Sequence, residues 1–126
     1  MATHVRELPV EVSAGDLETR YVELGDMAIR HARVPAGTDF GPVLAGLPGD
    51  RCPSPHWGIV MEGSLELVHA DGSVEVARAG EVYHWPAGHT ATTSEGAVFV
   101  EVGPVAPMRR FHEHAQAVFA GAPSQA

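Results

Sequence analysis

Turn-forming residues recur along this chain about every eight to ten positions: Gly25-Asp26, Pro35-Ala36-Gly37, Glu62-Gly63, Asp71-Gly72, Ala79-Gly80, Pro86-Ala87-Gly88 and Glu95-Gly96. The intervals between them are too short for ordinary helices and suit short strands. The runs 18–24, 27–34, 56–62, 64–69, 73–78, 81–85, 89–94 and 97–103 read as those strands. The sharpest hairpin joins Ser64–His69 to Val74–Arg78. Leu65 and Leu67 alternate with polar residues on one arm, Val74 and Val76 on the other. Asp71-Gly72 between them supplies the positive φ angles that a tight hairpin needs. Evenly spaced short strands predict an all-β sandwich or barrel.

One segment breaks this rhythm. From Pro107, Met108, Phe111, Ala115, Val118 and Phe119 recur at spacings of three and four, and Gly121 ends the run. That period predicts a C-terminal helix over about 107–119, packed on the strands. The Gly/Pro-rich stretch 45–55 predicts an irregular loop leading into His56. Residues 1–16 and the last five, 122–126, are expected to be loose ends. No repeat and no second domain is visible, so a single domain is expected over about 17–120.

Composition excludes several function classes. Sixteen acidic residues oppose eight basic ones, for a net charge of −8, which disfavours nucleic acid and anionic membranes as partners. All eight basic residues are arginines, so lysine Schiff-base chemistry and a Walker-type phosphate loop are excluded. No apolar run approaches the ~18 residues of a membrane span. The first fifteen residues lack the basic and apolar blocks of a signal peptide, and Cys52 is the single cysteine. Together these predict a cytoplasmic protein.

Two stretches carry the candidate chemistry: HWGIVMEG, from His56 to Gly63, and GEVYHWPAG, from Gly80 to Gly88. They resemble the two motifs of the cupin superfamily, one a glutamate followed seven residues later by glycine, the other G-x5-P-x-G-x2-H. With the hairpin between them, the resemblance covers about residues 50–103, motif one at about 50–63 and motif two at about 80–91. It implies a jelly-roll (double-stranded β-helix) barrel and dimers formed through outer strands. It also implies a metal site built from H-x-H, the glutamate and the motif-two histidine. Here the H-x-H positions are Gly49 and Arg51, His56 stands at the glutamate position, and Ala91 at the final histidine position. The usual ligand set is therefore not retained as written.

Replacement donors lie close by. By strand parity His89 shares a face with position 91, and His56 occupies a position that looks inward in the family. Gly58 and Val60 follow on that face and leave room. Two neutral imidazoles facing one cavity can bind a divalent transition metal such as zinc, iron, nickel, copper or manganese. They can equally be a hydrogen-bonded pair in a polar pocket. His84 is a third candidate ligand, or an exposed strand residue. Tyr83 and Trp85 take the face opposite His84, and become outer packing if His84 points inward.

Glu101, on the otherwise apolar face of Ala97 and Phe99, is a candidate ligand or a partner for a ligating imidazole, unless it marks a strand end near solvent. Cys52 is a minor candidate, as ligand, nucleophile or small apolar filler. His4, His31, His69, His112 and His114 carry little functional weight. The resemblance implies a metal-binding cupin acting on a small organic molecule, by dioxygenation, isomerisation, decarboxylation or cyclisation. A non-catalytic small-molecule or metal-ion sensor and a purely dimerising scaffold are the alternatives.

Overall fold

The computed structural model describes residues 1–121; the tail expected to be loose, 122–126, lies outside the described residues. Nine strands follow in order: β1 (Val10–Ala14), β2 (Leu17–Leu24), β3 (Met27–Val34), β4 (Thr38–Asp39), β5 (His56–Val68), β6 (Val74–Arg78), β7 (Val82–Trp85), β8 (Thr90–Thr93) and β9 (Ala97–Pro104). A one-turn helix, α1 (Gly41–Leu44), follows β4, and α2 (Val105–Ala120) closes the described chain. All ladders are antiparallel, in the order β1-β2-β3-β9-β5-β8-β4, with β6 and β7 also pairing with β5. The sheet curls into the expected jelly-roll barrel, with α2 against it.

The expected strands 56–62 and 64–69 are one strand. β5 runs through Gly63, whose φ of 72° turns it from β7 and β9 onto β6 and β8. A Cβ at Gly63 would fall 1.8 Å from the Gly96 carbonyl oxygen, so only glycine lets the two backbones cross here. The hairpin at Asp71-Gly72 forms, with Gly72 at φ 87°. Leu65, Leu67 and Ala77 face the core, while Val74 is exposed on the outer side. With Val60, Trp85, Ala91 and Phe99 they form the largest apolar cluster.

Residues 1–16 are not uniformly loose. Val10–Ala14 pairs with β2 as β1. Its register slips between Val10 and Val12, and this bulge turns both Glu11 and Val12 inward. Glu11 meets Arg30 of β3 in a two-point ion pair, Nε to Oε1 and Nη2 to Oε2, both 2.8 Å. Arg30 also donates from Nη1 to Glu101 Oε2 of β9 at 3.1 Å. Thr19 and His112 donate to Glu11 at 2.8 and 2.7 Å, and Tyr83 donates to Glu101 Oε1 at 3.0 Å. The guanidinium lies over the rings of Tyr21 and Phe111, 5.3 and 4.7 Å from their centroids.

Helix α2 begins two residues earlier than its sequence period suggests. Pro107 falls in its first turn, where a missing N–H is tolerated. Met108 and Ala115 are buried, and Met108 packs on Tyr21 and Ala28. Gln116 Nε2 donates to the Glu11 carbonyl, so the helix and β1 hold each other.

Removing the cation from between two buried carboxylates leaves both charges uncompensated. Arg30→Met is expected to lower stability by about 3–5 kcal/mol, read as a shifted midpoint in urea denaturation of the whole chain.

Candidate metal centre

Two backbone hydrogen bonds bring the candidate donors together. Cys52 N–H donates to His89 O (3.0 Å) and Gly88 N–H to Cys52 O (2.8 Å), so the loop before β5 runs beside the motif-two turn. Pro53 and Pro55 restrict that loop. His56 then opens β5 opposite Trp85 of β7. Cys52, His56 and His89 are 3%, 3% and 4% exposed. One donor atom from each lies within 4.8 Å of the others.

The tautomers follow from the partners. His89 Nδ1–H donates to the Pro86 carbonyl at 2.8 Å, which leaves the Nε2 lone pair free. Cys52 Sγ lies 3.3 Å from His56 Nε2. Burial pushes the Cys52 thiol up to about 12, so it is protonated, with the Ser54 carbonyl as a second acceptor at 3.8 Å. The Glu101 carboxylate on the far side of the His56 ring favours a proton on Nδ1 and a lone pair on Nε2 towards the thiol. His56 Nδ1 then carries the ring proton. It has no hydrogen-bond partner among the described residues and points at Glu101 Oε2, 3.7 Å away.

Burial lowers His56 to about 4, against the pull of Glu101, and also lowers His89. Both rings are neutral at pH 7. Burial works to raise the Glu101 carboxyl, yet it is held below the ordinary range by attraction to His56, Arg30 and His89 and by the Arg30 hydrogen bond. With the imidazoles neutral, Arg30 is the charge that keeps Glu101 ionised. Burial likewise opposes ionisation of Glu11, and Arg30, His112 and Thr19 outweigh it. The Tyr83 phenol is raised by burial and by Glu101, so it remains a donor.

The structure sorts the expected residues. It brings His56, His89 and Cys52 together and sets Glu101 behind His56. His84 lies apart from them: it is exposed, stacked on Trp57 with centroids 4.8 Å apart. Tyr83 and Trp85 point inward instead, 7% and 2% exposed. Glu101 is no strand end near solvent; it is 5% exposed. Gly58 does not leave room for a ligand, because Tyr83 fills it: a Cβ there would meet the phenol oxygen at 2.6 Å. Sequence reasoning missed Glu11 and Arg30. It also set His112 aside, which bonds Glu11 and stacks on Tyr21 with centroids 4.1 Å apart. Arg30 shares its strand face in MAIRHARV with Ala28, Ala32 and Val34, and a charge on that apolar face was a readable signal for a buried ion pair. Glu11 had no such signal, since its inward turn depends on the bulge.

The group fits a transition metal. A sulfur and two imidazole nitrogens are the donors that zinc, iron, nickel and copper take. The orphaned Nδ1–H beside a carboxylate and the Nδ1–H on a backbone carbonyl are the supports that metal-bound imidazoles have. The three donors sit on a cavity of about 370 Å³ inside the barrel.

No protein-family model matches the chain, and no curated relative matches it. Solved structures do. An RmlC-like cupin from Shewanella frigidimarina aligns over 82% of this chain and 89% of its own, at 15% identity and a TM-score of 0.59. Bacillus subtilis oxalate decarboxylase, a protein with Mn(II) centres, aligns over 79% of this chain and 28% of its own, at 16% identity and a TM-score of 0.60. A putative ethanolamine utilization protein Q from Salmonella typhimurium aligns over 71% and 70%, at 18% identity and a TM-score of 0.53. At these identities the likeness is one of fold: the chain has the cupin fold. Among the described residues no helix is long and apolar enough to cross a membrane.

The buried neutral histidines set a pH dependence for the metal-free protein. Unfolded, His56 binds a proton below its ordinary value of 6.5; folded, it does so only below about 4. Between these values the unfolded state holds more protons. Stability is therefore complete above pH 6.5 and declines as pH falls towards 4, by on the order of 3 kcal/mol for this residue. Urea titrations of chelator-treated protein at pH 7.5 and 4.5 check this, and His56→Gln should flatten the difference.

Proposed function

We propose that Cys52, His56 and His89 hold one divalent transition metal, and that the protein acts on a small organic molecule bound beside it in the barrel cavity. The observation that carries this reading is the set of three buried donors within 4.8 Å, with an unpartnered imidazole nitrogen directed at Glu101. A thiolate with two imidazoles favours zinc, iron, nickel or copper over the harder manganese. When bound, the metal supplies Lewis acidity to a carbonyl or hydroxyl oxygen of the ligand.

The chain's own residues do the rest. Pro86 O orients His89, and Glu101 orients His56. Cys52 would hold the metal as a thiolate, its proton released to solvent on binding. The apolar walls of the cavity exclude water, which strengthens each polar contact inside. Reaction class belongs to the same proposal: isomerase, lyase and cyclase chemistry can use a polarised oxygen, and oxygenase chemistry would need dioxygen and a redox-active metal such as iron, nickel or copper in the site.

A second reading, a non-catalytic sensor, has one observation in its favour. Glu101 is tied by Arg30 and Tyr83, so the nearest carboxylate is not free to move a proton. Turnover of a ligand found for the cavity separates the two. The expected homodimer is also proposed, through the outer face of β5 and β7, where Trp57, Met61 and Val82 are 43%, 55% and 79% exposed.

Mass spectrometry of the purified, untagged chain is expected to find about one equivalent of transition metal. His56→Ala/His89→Ala should lose it, and Cys52→Ser should weaken retention at least tenfold under chelator challenge. Absence of metal after incubation with zinc, iron, nickel, copper and manganese salts would sink the reading. So would full occupancy in a folded double variant. Sedimentation velocity tests the dimer, which Val82→Asp should dissociate.

A further inference from the structure

We infer that the ligand of this cavity is a neutral, largely apolar molecule of roughly 15 heavy atoms that presents one hydrogen-bond-accepting oxygen to the Trp85 indole N–H beside the Cys52/His56/His89 group. This rests on the proposed function for the role of that oxygen at the metal, but not for the apolar cavity itself.

Size comes first. An engineered apolar cavity of about 150 Å³ takes benzene, so about 370 Å³ takes roughly 15 heavy atoms. The walls define the body of the ligand. Val34, Ala91 and Phe99 line the barrel side. Helix α1, with Val43, and the second half of α2, with Val118 and Phe119, line the other. His114 Nε2 donates to Ala45 O at 2.8 Å and ties the two helices together.

Charge excludes ionised ligands. Arg30 is the one arginine that lines the cavity; three of its five N–H groups bond Glu11 and Glu101, and those two carboxylates more than balance its charge, so it offers an anion no net attraction. Three carboxylates, Glu11, Asp39 and Glu101, line the cavity against that one guanidinium, which repels anions further. An ammonium ligand gains little in return. Glu11 and Glu101 are 7% and 5% exposed, and their oxygens already accept bonds from Arg30, Thr19, His112 and Tyr83. Asp39 is exposed and accepts from the Gly41 N–H, so its charge is screened by water and attracts an ammonium only weakly.

One polar preference remains. Trp85 lines the cavity, is 2% exposed, and its Nε1–H has no hydrogen-bond partner among the described residues. An indole N–H only donates, so it asks for an acceptor. Trp85 also lies against His89, ring centroids 5.4 Å apart. An oxygen held by the indole is therefore held beside the candidate metal ligands.

Isothermal titration calorimetry of the whole chain, metal-free and zinc-loaded, tests this with three probes of similar size: benzylacetone, hydrocinnamate and 3-phenylpropylamine. Benzylacetone is expected to bind at least tenfold more tightly than either charged probe. Val43→Trp should weaken it more than tenfold by filling the cavity, with Ala91→Leu as the substitute if circular dichroism shows that variant unfolded. Trp85→Phe should weaken it about fivefold, the loss of one neutral hydrogen bond. Equal or tighter binding of a charged probe, no binding of benzylacetone, or indifference to both Val43→Trp and Trp85→Phe would overturn the inference. Ketone-selective binding in a protein that takes up no metal leaves this inference standing and defeats the metal reading. Metal uptake without ketone preference does the reverse.

Discussion

The guanidinium of Arg30 stands between two buried carboxylates, and four separate parts of the chain close around it. Glu11 comes from the N-terminal strand, Glu101 from the last strand, Tyr83 bonds Glu101 from β7, and His112 and Phe111 approach from the C-terminal helix. A buried ion pair is weak evidence of net stability, because desolvation offsets much of the attraction. Its effect on specificity is easier to argue in this chain. Each carboxylate placed elsewhere would be a buried charge without a partner. The strand register, the β1 bulge and the seat of α2 are thus tied to one residue.

That network also sets the electrostatics of the donor cluster. Cys52, His56 and His89 are neutral because burial removes the water that would stabilise their charged forms. The charged groups lie one step behind, joined to the cluster through the 3.7 Å approach of Glu101 to His56. Arg30 keeps Glu101 ionised, and an ionised Glu101 favours the Nδ1–H tautomer of His56. That tautomer turns the Nε2 lone pair towards Cys52. A chain of local interactions thus runs from the N-terminal strand to the donor atoms.

The barrel was legible because its signals are local. Turn residues at even spacing, the Asp71-Gly72 hairpin and the three-to-four period of α2 each act within a few residues. The inward positions of His56 and His89 were legible only through the family resemblance, which supplied the direction that strand parity lacks, and Glu101 was left open between the cavity and a strand end near solvent. What was missed or given little weight needed long-range information. Cys52 joins the cluster through backbone bonds to His89, 37 residues later in the numbering. Glu11 turns inward through a bulge whose partner strand decides it. Parity separated His84 from Tyr83 and Trp85 without saying which side was inside. The space over Gly58, assigned from sequence to a ligand, belongs to a phenol delivered from β7.

The positions where the family resemblance would put metal ligands have other tasks in this chain. Gly49 sits in a tight turn at φ 67°, and Arg51 Nη1 donates to the carbonyls of His69 and Gly88, clamping the loop against motif two. Ala91 packs in the core. The donors lie one residue after Arg51, at Cys52, and two before Ala91, at His89, while a histidine replaces the carboxylate at position 56. The carboxylate does not vanish; Glu101 supplies one from a neighbouring strand, behind the imidazole rather than among the donors. The set therefore changes from one that includes a hard oxygen to one of sulfur and nitrogen, which changes the metals it prefers. The Glu101 charge is paired with Arg30 in the cavity wall. A pocket whose one guanidinium is paired with two buried carboxylates and whose donors are neutral has little to offer an ionised substrate. It retains apolar surface, a thiol, two imidazoles and an indole N–H, and those are the terms on which a ligand must bind.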